Sequence, residues 1–189
     1  MWREPWSPRL WRFRLLKTGS IAQEGKSADR FTSSQVTTIF VRFLEHQLVE
    51  TADAMPADKY SFAPTDGAFK GVRTFGQQVK HLAATNYILA AGIMGERPPA
   101  GAGKETGPNT VRTKAEIMDY LKGSFVALHK AVATIDDQNK VVANVPISPL
   151  VGIATRLGLA EEALIHTYDH YGQMVVYLRM NGIVPPSSR

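Results

Sequence analysis

Residues 155–182 read TRLGLAEEALIHTYDHYGQMVVYLRMNG, and their spacing decides the fold. With each residue advancing about 100° round an α-helix, Leu157, Tyr171, Val175 and Leu178 cluster within about 40° of Leu164. The segment therefore reads as an amphipathic helix. It stops at Gly182, with Pro185 and Pro186 just beyond. Its start is open between Ser148-Pro149, an N-cap followed by proline, and Thr155, because Gly152 and Gly158 weaken the first turns. On the same construction His166 and His170 lie about 200° and 240° from Leu164, flanking the stripe beside Leu159, Ala163 and Tyr177.

Three more helices precede it. One runs from Thr32 or Ser33 to Met55, with Val36, Ile39, Phe40, Phe43, Leu44 and Leu48 at spacings of three and four. A second runs from Thr74 to Met94 on a stripe of Phe75, Val79, Leu82, Asn86, Leu89 and Ile93, and Gly95 and Pro98 stop it. The third opens on Thr113 and Glu116, which have capping-box spacing, and continues through Leu121, Phe125, Leu128, Val132 and Ile135. No strand alternation and no internal repeat interrupt this pattern. The sequence predicts an all-α protein, a four-helix bundle over residues 31–189. The loop between the second and third helices, about 17 residues, is longer than a tight antiparallel turn requires, so it crosses the bundle or covers a site.

Residues 1–30 differ from the rest. They hold all three tryptophans, and seven basic residues (Arg3, Arg9, Arg12, Arg14, Lys17, Lys26, Arg30) against three acidic ones (Glu4, Glu24, Asp29). They read as an N-terminal extension, poorly structured or non-native, since Arg12 and Arg14 break the only apolar run that a signal peptide would use. The whole chain has 22 Lys and Arg, 17 Asp and Glu, and a net charge of +5, so residues 31–189 keep fifteen basic and fourteen acidic groups. That near balance removes the basis for a nucleic-acid partner. No apolar run of about 18 residues exists, which excludes a transmembrane helix. The absence of cysteine excludes disulfides, thiolate zinc sites and a cysteine nucleophile. The expected location is the cytoplasm.

Of the five histidines, His166 and His170 form His-x-x-x-His, a spacing that puts both imidazoles on one helix face within reach of one cation. His81 occupies a similar flank of the second helix, about 120° from its apolar stripe and beside Gln78 and Thr85. Three imidazoles from two helices make an open metal site, and imidazole suits Zn, Ni, Fe and Cu alike. Periodicity does not say whether the second and fourth helices are neighbours, and His-x-x-x-His also occurs on solvated surfaces. His46 and His129 have no partner at a useful spacing and read as solvated or capping residues.

The order of several short stretches is similar to the DinB-like family of four-helix metal-binding proteins, which includes bacillithiol and mycothiol S-transferases. The resemblance is spread over residues 34–187. It rests on residues 50–60 (ETADAMPADKY), 62–65 (FAPT), 73–83 (RTFGQQVKHLA), 166–173 (HTYDHYGQ) and 177–186 (YLRMNGIVPP). Residues 1–30 have no counterpart in it. The resemblance implies a four-helix bundle of the DinB-like type with a metal triad on His81, His166 and His170. The cofactor it implies is a divalent metal, Zn, Ni or Fe. It further implies a metal-dependent thiol S-transferase or related hydrolase, with a small-molecule thiol and an electrophile as substrates. The alternative it leaves open is a non-catalytic metal-binding stress-response module. Asp169, Tyr168 and Tyr177 are near enough in sequence to assist, Asp169 by orienting a ligand rather than by ligation; no catalytic residue is assigned. A bundle with exposed apolar flanks also suggests a homodimer.

Overall fold

The computed structural model describes residues 30–102, 104–136, 138–139 and 155–189. Four helices account for most of them: α1 (Ser33–Ala54), α2 (Phe75–Met94), α3 (Lys114–Val132) and α4 (Arg156–Met180). Single 3-10 turns at Ala57–Lys59 and Pro186–Ser188 follow α1 and α4. No strand is present among the described residues. None of their helices is long and apolar enough to cross a membrane. Residues 1–29 of the expected extension, together with Ser148 and Pro149, lie outside the described residues.

Threonine sets every helix start. Thr32, Thr74 and Thr113 each accept the backbone N–H three residues on, and Gln35, Gln77 and Glu116 return the bond, completing three capping boxes. Thr155 accepts the N–H of Gly158, so α4 opens at the later of its two expected starts. α2 ends on Gly95 in the left-handed region (φ 72°), where the glycine N–H can reach the last carbonyls without a Cβ clash.

Both α1 and α2 pack against α3 and α4, which places α1 and α2 across a diagonal of the bundle. The segment between them, Met55 to Thr74, therefore makes the crossover. The loop between α2 and α3, residues 95–113, joins neighbours and does not cross the bundle. α2 is the central helix. Its expected stripe, Phe75 through Ile93, is fully buried, and so are Gln78, His81 and Thr85 on its flank. The stripe of α3 from Leu121 to Ile135 is buried as expected.

Two stripes lie differently from their reading. On α1 the core takes Thr37, Val41, Leu44, Leu48, Thr51 and Ala52, whereas Val36, Ile39, Phe40 and Phe43 are exposed. The helix carries two apolar arcs, roughly 120° apart, and period alone does not say which arc meets the bundle. On α4 the most buried residues include Ala160, Ala163, Thr167, His170 and Met174, while Leu157, Leu164, Tyr171 and Val175 are half-buried. The small side chains of Ala160 and Ala163 suit a close helix approach, which a search for large apolar residues overlooks.

Candidate metal centre

His81 points from α2, and His166 and His170 point from α4, into the seam between the two helices. Nε2 of His166 lies 3.1 Å from Nε2 of His81 and 3.1 Å from Nε2 of His170. The rings meet edge to face, at interplanar angles of 67°, 80° and 71°. Among the described residues no other His, Asp or Glu joins this group. His81 and His170 are buried and His166 is half-buried.

The hydrogen bonds reveal what the three nitrogens are suited to hold. Nδ1 of His81 lies 2.8 Å from the carbonyl oxygen of Glu105, in the loop between α2 and α3. A carbonyl only accepts, so Nδ1 carries the proton and Nε2 presents its lone pair. If His166 donates to that lone pair through Nε2, the same nitrogen has no lone pair left for His170. Three neutral imidazoles therefore make at most one of the two 3.1 Å contacts a straight N–H···N bond; when His170 is the donor, the lone pairs of His81 and His166 oppose each other. A cation between them removes that repulsion. Two imidazole nitrogens at Zn–N bond lengths sit about 2.8–3.4 Å apart between right and tetrahedral angles, so the observed spacing fits a shared metal. The Nδ1 atoms of His166 and His170 are buried with no partner among the described residues, which fix the tautomer of His81 alone.

Electrostatics point the same way. Burial pushes His166 down to about 3, helped by the charges of His170, His81 and Arg73 against the opposing pull of Asp169. Burial likewise takes His170 down to about 4, with His81 and Arg73 adding to it. His81 is lowered by burial, against the raising effect of the Glu105 carbonyl. The triad stays neutral, and so able to ligate, across the physiological range.

The other named residues take different places. His129 pairs with Glu45 at 2.7 Å and His46 with Glu50 at 3.5 Å, away from the triad. Tyr168 is exposed on α4, and the Tyr177 hydroxyl donates to the carbonyl of Arg73 at 3.0 Å. Asp169 accepts from Nε2 of Gln173 at 2.8 Å, and the Gln173 amide oxygen accepts from Gln78 at 2.7 Å, so α2 and α4 are also tied one turn from the triad. Sequence reading missed two contributors. One is the Glu105 carbonyl, a backbone group with no side-chain signal. The other is Arg73, 4.0 Å from the Glu105 carboxylate and close enough to act on all three imidazoles. Its place just before the Thr74 cap was the available clue.

The family model described as the DinB superfamily matches residues 41–174, well over half of the chain and spanning all three histidines. No curated protein matches it. With four capped helices and the histidines facing each other across α2 and α4, the chain belongs to the DinB superfamily.

Proposed function

We propose that His81, His166 and His170 together hold one divalent metal, Zn, Ni or Fe, and that the protein is a metal-dependent thiol S-transferase or a related hydrolase. The observation that carries this reading is the convergence of three Nε2 atoms, 3.1 Å apart in two pairs, with no fourth ligand from the described residues. Three neutral ligands leave the charge of a divalent cation uncompensated and leave coordination positions open, which favours the thiolate form of a small thiol.

The chain's own groups suit that task. The Glu105 carbonyl holds the ring of His81 in one tautomer, as hydrogen bonds behind metal ligands commonly do. Arg73 adds positive charge at the rim and so favours an anionic ligand. A second amide oxygen of the seam, Gln78 Oε1, is buried without a partner among the described residues and can accept from a donor on the ligand. With no cysteine in the chain, the attacking sulfur arrives on the cosubstrate. A free small thiol persists in a reducing compartment, so the cytoplasm is the proposed setting. The near balance of charge in residues 31–189 supports no nucleic-acid role.

A non-catalytic metal-binding module is the second reading, favoured by the burial of His81 and His170. Turnover of a small thiol with several electrophiles, compared between metal-loaded and metal-stripped protein, tests the first. Activity confined to loaded wild type and lost in His81→Ala is the expected result. A loaded protein that gains only thermal stability, with no turnover, assigns the module instead.

A further inference from the structure

Beside the seam, α1 and α4 turn a second face outward. Val36, Ile39, Phe40 and Phe43 follow one another at helical spacing on α1, and Phe40 and Phe43 are 53% and 52% exposed. Next to them on α4, Ile165 and Tyr168 are 67% and 58% exposed. Between the two rows runs a groove of about 650 Å³, lined by Phe40, Phe43, Leu44, Leu164, Ile165 and Tyr168 with Asp169 at its edge. That carboxylate, the one charged group in the lining, is already bonded to Gln173.

We propose that this face is a two-fold interface between two copies of the chain. Area is the first reason. At ordinary side-chain sizes these exposed residues present on the order of 600 Å² of apolar surface, at the upper end of what a monomer leaves open. Two such faces meeting remove about 1,200 Å², the lower bound of a standard stable interface before any neighbouring residue is counted. Shape is the second reason. Two side-by-side helices with projecting aromatic rings and a groove between them are suited to pack on their own copy across a two-fold axis, rings of one entering the groove of the other. Chemistry is the third. Apart from the Asp169 carboxylate at its edge the lining is apolar, so it offers little with which to select a charged peptide, whereas a second identical face is apolar in the same places. The proposal stands whether or not the metal reading holds.

Light scattering and sedimentation of the full chain at tens of micromolar test it. The wild type is expected at twice the 20.8 kDa chain mass. Phe43→Glu and Ile165→Glu, one on each helix and both at exposed positions, are each expected to weaken dimerisation at least 100-fold. Their far-UV spectra and metal content should match wild type, which shows that the bundle is intact. Val126→Glu, at an isolated exposed position on α3, should remain dimeric. A monomeric wild type overturns the proposal, and so does a dimer that survives both glutamate variants. A monomeric wild type that cosediments with zwitterionic or anionic vesicles overturns it in favour of a lipid surface.

Discussion

The two sides of α4 invert the usual distribution of polarity. Toward α2 it sets the buried His170 and the half-buried His166 against His81, one turn from Gln78; beside α1 it exposes Ile165 and Tyr168 next to two phenylalanines. Elsewhere the bundle follows the ordinary rule, with Leu, Phe, Val and Ile of α2 and α3 inside. Scattered exposed apolar residues need no explanation, but a polar seam inside and an apolar sheet outside do. Neither helps an isolated chain fold. The seam desolvates imidazoles, a glutamine oxygen and the Thr85 hydroxyl, and the described residues leave several of these atoms without a partner; each such atom costs about 1–3 kcal/mol. Such features suit ligands that arrive after folding: an ion for the seam, a second chain for the face.

The largest expected effect separates histidines by place rather than type. Removing one of three ligands should weaken metal binding by at least about 100-fold, beyond what loss of a supporting hydrogen bond costs. His81→Ala and His170→Ala should lose affinity alike although they lie on different helices. His129→Ala, which breaks only the pair with Glu45, should bind as wild type. Calorimetric titration of stripped protein with Zn and Ni reads this directly. Equal affinity in wild type and His81→Ala would sink the triad.

Acid should find the seam before it finds the rest of the bundle. In the metal-free protein His166 and His170 sit at about 3 and about 4, whereas an unfolded histidine titrates near 6.5. Between those limits the unfolded chain binds more protons, so stability rises with pH and is lost as pH falls from about 6.5 toward 4. Allowing for solvent screening, about 2 kcal/mol should disappear between pH 7.5 and pH 5. Urea unfolding at the two pH values measures it, and His166→Gln with His170→Gln should flatten the dependence.

Much of this was legible in advance because caps and stripes are local. Thr113 with Glu116, the Phe75–Ile93 stripe and Gly95 announce helices that form as read. The two histidines of α4 announce one face, since a spacing of four has a single geometric meaning. What the sequence withholds is rotation and neighbourhood. On α1 the stripe drawn through Val36, Phe40 and Leu44 mixes two arcs, and only packing on α3 and α4 separates them. That α2 and α4 are neighbours, so that His81 meets His166, depends on the crossover from Met55 to Thr74. The Glu105 carbonyl left no trace at all, because every residue has one.

If the seam is kept for a ligand rather than for folding, an apolar replacement should stabilise the empty protein. His166→Leu with His170→Leu removes two desolvated imidazoles and their unpartnered Nδ1 atoms at a modest change in volume. Exchanging buried polar groups for packed apolar ones is often neutral or favourable. The metal-free double variant is expected to unfold about 1–2 kcal/mol later than metal-free wild type at pH 7.5, while binding no metal. A destabilised variant would mean that the histidines support the bundle by themselves.

The smallest effect tests how the loop between α2 and α3 serves the seam. Lys80, one residue before His81, sends its ammonium to the carbonyls of Pro108 and Val111 at 3.1 and 3.3 Å. Its Cγ would lie 3.1 Å from a Cβ added at Gly107, itself at φ 68°, so the loop lies against the helix at this point. Those bonds hold the end of the segment whose Glu105 carbonyl orients His81. Lys80→Met keeps the aliphatic stem and deletes the donors. Losing them frees the loop by about 1 kcal/mol, equivalent to several-fold in an equilibrium. Metal affinity should therefore fall by about 3- to 10-fold, well short of losing a ligand, through looser positioning of the His81 ring. Hydrogen exchange should show faster exchange of the loop amides while α2 stays protected. Unchanged affinity with a loosened loop would show that the α2 backbone alone aims His81, and that the Glu105 carbonyl merely accepts a proton already in place.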